Sequence, residues 1–374
     1  MKLRKFFACA IFAFFSLGGI FAEETSKAET KITEQSEIDT GIQELFVDKG
    51  SFGFTVTYKK SNVPGEVFFL RMLVESKKQG KKIDINAKAE LFNRPTETVK
   101  ETESESDESE KSKEIKPVCK SDFYYLDPFK KNHKNVAELL TGLPMWTWDK
   151  DCSDASIKIT YTINGEEENY FEIPVVIEPK DYPKETIKLN SALSDLISKP
   201  DPEKKEQSKQ LNEILATIDP KGVYDTKPFI RPMGGKRITS EFGQTRTFVY
   251  SNGKKAPSYH CGLDFGIPEG TQVVACAGGK VVMARWRIVT GYSVIIEHLP
   301  GLYSIYYHLS ELKCSEGDIV KQGDLIALSG CTGLSTGPHL HWEIRLNSVC
   351  VNPDFFMSNY AFDSISKDSK TRLR

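Results

Sequence analysis

Two short clusters in the last third of the chain have the residue types and spacing of a hydrolytic metal centre. In His260-Cys261-Gly262-Leu263-Asp264 an imidazole and a carboxylate stand four residues apart. Side chains alternate across a strand, so these two share a face, and Gly262 between them adds no bulk on it. In His339-Leu340-His341 the i, i+2 spacing again sets two imidazoles on one face and turns Leu340 to the other. Two histidines and one aspartate on neighbouring strands supply three protein ligands, the number a catalytic zinc ion takes while water fills its fourth position. Zinc brings that water's pKa towards ~7 and polarises a scissile carbonyl. None of the chain's histidines (His133, His260, His298, His308, His339, His341) is followed by Glu, which excludes an HExxH helix with its glutamate base.

The approach to the second cluster is rich in glycine. Ser329-Gly330-Cys331-Thr332-Gly333 and Ser335-Thr336-Gly337-Pro338 lead directly into His339, a tight entry to a strand rather than an ordinary core run. The segments HCGLDFG (260 to 266), YYHLS (306 to 310) and GCTGLSTGPHLHWEIR (330 to 345), preceded by ITSEFGQTR (238 to 246), closely resemble the lysostaphin and LytM-type zinc metallopeptidases. The resemblance runs from about Phe229 to Phe356 in the family's order. It implies a small antiparallel β-domain with a substrate groove across its sheet, one Zn2+ ion held by His260, Asp264 and His341, and a catalytic pair formed by His308 and His339. It also implies the substrate, the peptide of bacterial cell-wall peptidoglycan. Spacing alone supports only metal-assisted hydrolysis, with spare histidines to take the water's proton and hold the developing oxyanion.

Neighbouring residues carry blander expectations. Glu343 shares the His339 and His341 face and reads first as a salt-bridged strand residue, second as an orienting partner of a ligand histidine. Alternation puts Tyr306 on the face of His308 and turns the Cys261 sulfur away from the metal. His298, beside Leu299-Pro300-Gly301, reads as a surface residue near a turn, and His133 sits in a Lys-rich loop.

The elements that must position these residues are mainly β. From about 229 to 357 the chain is dense in β-branched residues and glycine, with runs at 271–275, 280–284, 293–297, 304–308, 325–328 and 339–345, which predicts a C-terminal antiparallel β-sheet metallopeptidase domain. Residues 45–188 alternate in short runs such as Phe54 to Tyr58, Ile157 to Tyr161 and Phe171 to Val175, with Asn164-Gly165 as a hairpin turn. This predicts a β-sandwich, which loosely resembles the immunoglobulin-like regions that precede some peptidases of the family. The Glu/Ser/Lys-rich tract 95–116 inside it has almost nothing apolar to bury and reads as a disordered insertion. Between the two, the 189–228 linker carries Asp201-Pro202 as N-cap and first helical residue, then Leu211, Ile214, Leu215 and Ile218 at helical spacing.

The ends and the bulk composition set the context. Lys2, Arg4 and Lys5 precede an apolar run from Phe6 to Ala22, which reads as a secretory signal (1–22), followed by a polar, flexible leader (23–44). A short tail follows at 358–374. The 374 residues, 39% hydrophobic and 27% charged with a formal charge of −2, suit a two-domain soluble protein rather than a nucleic-acid binder or a membrane bundle. Removal of the signal leaves Cys119, Cys152, Cys261, Cys276, Cys314, Cys331 and Cys350, an odd number with no CxxC pair; Cys119 with Cys152 is one candidate disulfide.

The expectation is therefore a periplasmic or envelope zinc endopeptidase acting on peptidoglycan peptide. Its N-terminal domain offers a surface for an envelope protein partner, and nothing spans the membrane once the signal is cleaved. The alternatives are a non-catalytic wall-binding or hydrolase-activating module, and a latent enzyme covered by its N-terminal region.

Overall fold

The computed structural model describes residues 41–94, 116–130, 133–147, 154–235 and 237–357. The signal segment, nearly all of the leader, residues 95–115 of the insertion, Cys152 and the tail lie outside them. Described residues are mostly β, as the alternating runs predict.

The N-terminal half holds two five-stranded sheets. In one, Ile42–Lys49, Phe52–Lys59, Val67–Ser76, Val136–Pro144 and Tyr124–Tyr125 follow one another. In the other the order is Ser61–Asn62, Asn169–Ile177, Asp154–Ile163, Ile85–Arg94 and Cys119–Asp122. The sheets share one core: Phe54, Val56 and Met72 from the first meet Ala89, Ile157, Ile159 and Ile173 from the second. Each such Ile or Val, fully withdrawn from water, stabilises the fold by about 1.5–3 kcal/mol. Asn164 and Gly165, with φ of 52° and 74°, make the left-handed turn that joins Asp154–Ile163 to Asn169–Ile177.

Lys184–Lys188 crosses out of this half and pairs in parallel with Thr245–Val249, which in turn pairs with Lys255–Tyr259. Two helices follow it, Ser191–Ser198 and Pro202–Ala216. The Asp201 carboxylate accepts from the backbone N–H of Glu203 and Lys204 at 2.7 and 3.2 Å, the cap that the Asp-Pro pair predicts. Leu211, Ile214 and Leu215 pack on Met283, Ile295, Tyr303, Ile305 and Tyr307. Ile218 departs from the expected stripe: Thr217 already has extended backbone, so Ile218 lies beyond the helix and is exposed.

The C-terminal sheet has ten strands. Its main path runs Ile238–Ser240, Gly262–Phe265, Leu340–Leu346, Leu302–Leu312, Gly291–Leu299, Gly279–Arg287 and Ile319–Val320. Leu263, Phe265, Val294, Tyr306, Leu340, Trp342 and Ile344 point into one core, which also takes in Val67 and Phe69 from the N-terminal half and Phe356 from the short helix Pro353–Met357. The opposite face carries Asp264, Tyr307, His341 and Glu343, and the Pro202–Ala216 helix covers its far side. No helix among the described residues is long and apolar enough to cross a membrane.

Candidate metal centre

Asp264 and His341 are register partners on adjacent antiparallel strands, and Tyr307 is the partner of His341 on the next strand. Direct partners share a face. One row across three strands therefore carries the carboxylate, the imidazole and a phenol ring that stacks on that imidazole with centroids 5.5 Å apart. His260 enters from the loop before Gly262–Phe265. Its Nε2 lies 3.0 Å from Asp264 Oδ1 and 3.2 Å from His341 Nδ1, and the latter is 2.8 Å from the same Oδ1.

The far nitrogens decide what these three atoms are. His260 Nδ1 is 2.7 Å from the carbonyl oxygen of Glu241, which only accepts, so Nδ1 carries the hydrogen and Nε2 is left bare. His341 Nε2 is 3.3 Å from Glu343 Oε2, which assigns the hydrogen there and leaves Nδ1 bare. In that neutral tautomer two lone pairs and a carboxylate oxygen converge within 3.2 Å. The set fits a divalent cation, with Glu241 and Glu343 as the outer partners that orient metal-binding histidines.

With no cation present, the same contacts favour a proton on His341 Nδ1, in the place that a cation would take. Burial opposes a charge on His341, but its hydrogen bonds to Asp264 and Glu343 outweigh burial and raise its pKa to about 9. Burial also works against ionised Asp264, yet contacts with His260 and His341 hold it well below the usual carboxylate range. Its second oxygen, Oδ2, takes a charged hydrogen bond from Arg246 Nη2 at 3.2 Å.

His308 reaches the cluster through an irregularity. Tyr292 pairs with Leu309 and Val294 with Tyr306, so Tyr307 and His308 together oppose one residue, a β-bulge. At the bulge His308 has φ +61°, a left-handed conformation that costs a non-glycine residue energy and concentrates at functional sites. The bulge breaks the alternation on which the Tyr306 reading rested. Tyr307 faces the histidines, whereas Tyr306 is fully buried on the core side, its hydroxyl accepting from the Cys276 N–H at 2.9 Å.

His308 and His339 stand together, ring centroids 4.7 Å apart, and His339 Nε2 lies 3.9 Å from Asp264 Oδ1. Each gives its Nδ1 hydrogen to a backbone carbonyl at 2.8 Å, Thr332 for His308 and Gly337 for His339, which leaves both Nε2 atoms bare. Burial, with His339 and His341 beside it, lowers the His308 pKa to about 3 and keeps the ring neutral.

A family model described as peptidase family M23 matches residues 258–353, the segment that holds all five of these residues. Residues 258–353 form an M23 domain. An uncharacterised metalloprotease of Buchnera aphidicola is 37% identical over 126 residues, covering 34% of this chain and 32% of that protein. The DD-carboxypeptidase/endopeptidase Mpg of Neisseria meningitidis serogroup B is 38% identical over 124 residues, 33% of this chain and 28% of its own length. The peptidoglycan DD-endopeptidase ShyA of Vibrio cholerae is 40% identical over 116 residues, 31% and 26% of the two lengths. The match spans under a third of each relative.

Other residues of the M23 domain differ from their sequence reading. Glu343 is both things at once: it is ion-paired with the Arg345 guanidinium and it contacts His341. Arg345, two residues on, was the signal that such a buried acid stays ionised. His298 is not at the surface but fully buried, its Nδ1 2.7 Å from Gly278 O and its Nε2 2.7 Å from Ser304 Oγ. His133, in the N-terminal half, stacks on Tyr125 far from the cluster. Arg246 and Tyr307 had no chemical signature of their own, since one acts across the three-stranded sheet and the other depends on the bulge.

Proposed function

We propose that the chain is an exported zinc endopeptidase that hydrolyses peptide cross-links of peptidoglycan. One observation carries the reading: His260 Nε2, His341 Nδ1 and Asp264 Oδ1, three atoms able to ligate a cation, converge within 3.2 Å while the other nitrogen of each ring is engaged by Glu241 O or Glu343. The donor set suits zinc, and a zinc ion held there would activate a water and polarise the scissile carbonyl. Glu241 O and Glu343 hold the two ligand rings in register, and Arg246 keeps the outer oxygen of Asp264 engaged. A bare Nε2 on His308 or His339 takes the proton as water adds to the carbonyl. Once protonated, the same atom donates to the developing oxyanion or returns the proton to the leaving amine.

The cell-wall substrate is drawn from relatives such as the Vibrio cholerae peptidoglycan DD-endopeptidase. Envelope localisation, removal of residues 1–22, the immunoglobulin-like type of the paired N-terminal sheets and the division at about 188 and 229 belong to the same proposal.

The test is mass spectrometry of purified sacculi incubated with the zinc-loaded protein, with and without a chelator. Fragments with a cleaved peptide cross-link, lost on chelation and absent with His341→Ala, are the expected result. A zinc-loaded protein that binds sacculi and releases nothing would overturn the enzyme in favour of a wall-binding or activating module.

A further inference from the structure

Beside this site lies a pair of thiols that the proposed hydrolysis does not use. Cys261 follows His260 directly and immediately precedes the strand Gly262–Phe265; Cys350 lies in the strand Val349–Val351, opposite Arg345. Their sulfur atoms are 2.6 Å apart, although 89 positions separate them in sequence. Cys350 is only 3% exposed, and Cys261 is partly so. Both sulfurs sit within 4.8 Å of the Glu343 carboxylate.

Two thiols and a carboxylate suggest either a second cation site or a disulfide. The carboxylate argues against the cation, because one oxygen is taken by the Arg345 guanidinium and the other by His341 Nε2. A fixed positive charge at that distance repels a metal ion.

We propose that Cys261 and Cys350 are a disulfide site. Oxidation proceeds by exchange with a disulfide-bearing oxidant. The Cys261 thiolate, the more accessible of the two, attacks one oxidant sulfur and expels the first thiol; Cys350 then attacks Cys261 and expels the second. One S–S bond breaks and one forms, and two electrons and two protons pass to the oxidant. The bond ties the loop that delivers His260 to the hairpin that carries Glu343 and His341, so it staples the two halves of the metal centre. The inference stands whether or not the chain is a hydrolase.

The reduced full-length protein is exposed to oxidised glutathione, then alkylated, digested and analysed by mass spectrometry. The expected product is one linked peptide pair containing Cys261 and Cys350, with a melting point about 5 °C or more above that of the reduced protein. In Cys350→Ser the glutathione remains trapped on Cys261, whereas in Cys261→Ser the buried Cys350 stays unmodified. Full alkylation of both residues in the folded, glutathione-treated parent overturns the proposal. So does cadmium absorption by thiolate that disappears in Cys350→Ser, since that makes the pair a cation site.

Discussion

Gly262 faces the ring of His341 so closely that a Cβ there would stand 2.9 Å from both Cε1 and Nε2 and would strike the Trp342 carbonyl oxygen as well. The missing side chain makes room for the His341 imidazole itself. Gly262→Ala must push His341 or the backbone of its strand aside. Overpacking of this kind costs about 1–3 kcal/mol. Zinc affinity is expected to fall by roughly 10–100-fold, because His341 loses its alignment with Asp264 and Glu343. Zinc titration against a competing chelator checks this, and parental affinity in the variant would show that His341 keeps its alignment beside the added methyl group.

Glu343 works through His341. Its carboxylate fixes which ring nitrogen bears hydrogen, while Arg345 keeps it ionised. Glu343→Gln keeps an acceptor but loses the charge, so the folded protein should bind zinc about 10-fold more weakly. Glu343→Ala should also lose about 1–3 kcal/mol of stability, because it removes the ion-pair partner of the partly buried Arg345, which keeps its bond to Ser348 O. Equal zinc affinity in parent and Gln variant, measured by the same competition, would reduce Glu343 to a structural ion pair.

Much of this centre was legible beforehand, and the failures have physical causes. The i, i+4 and i, i+2 spacings of His260 with Asp264 and of His339 with His341 place these residues together because the strands that hold Asp264 and His341 stay regular. Tyr306 was misread because alternation is a rule for regular strands, and the bulge at His308 shifts the phase by one residue. His298 was misread because nearness to a turn says nothing of burial, which here comes from Gly278 and Ser304 closing over both ring nitrogens. The Asp201-Pro202 cap was readable locally, but the end of that helix was not, since Thr217 is held by a tertiary hydrogen bond from the Tyr303 hydroxyl to its carbonyl.

The left-handed backbone at His308 allows its proposed chemical role to be separated from its structural one. Glycine adopts φ near +61° freely and alanine does not, a difference of about 1 kcal/mol. His308→Gly should therefore be more stable than His308→Ala by that amount, while both bind zinc as the parent does. Both should lose about 10²–10⁴-fold in turnover, the usual contribution of a positioned acid or base. Thermal melts alongside sacculus digestion separate the two effects; turnover rescued by glycine would mean that the imidazole does no chemistry.

A buried acid on the strand Gly291–Leu299 gives the protein a pH dependence of its own. Glu297, beside the linker residues Asp219 and Gly222, has its pKa raised to about 7 by burial first and the Asp219 charge second, with Lys280 opposing. Its folded pKa lies above the unfolded value, so its contribution to stability is complete below about pH 4.5 and is lost as pH rises through about 7. Buried His298 acts in the opposite sense: lowered to about 4 by burial, it contributes stability above its unfolded value that is lost as pH falls through about 4. A parental melting curve mixes these slopes, so the informative quantity is the difference between Glu297→Gln and the parent. Glutamine mimics the protonated acid. The two proteins should melt together at pH 4, below the unfolded pKa, and the variant should melt above the parent at pH 8. A difference that stays constant over that range would mean that Glu297 ionises at the same pH in the folded and unfolded chain.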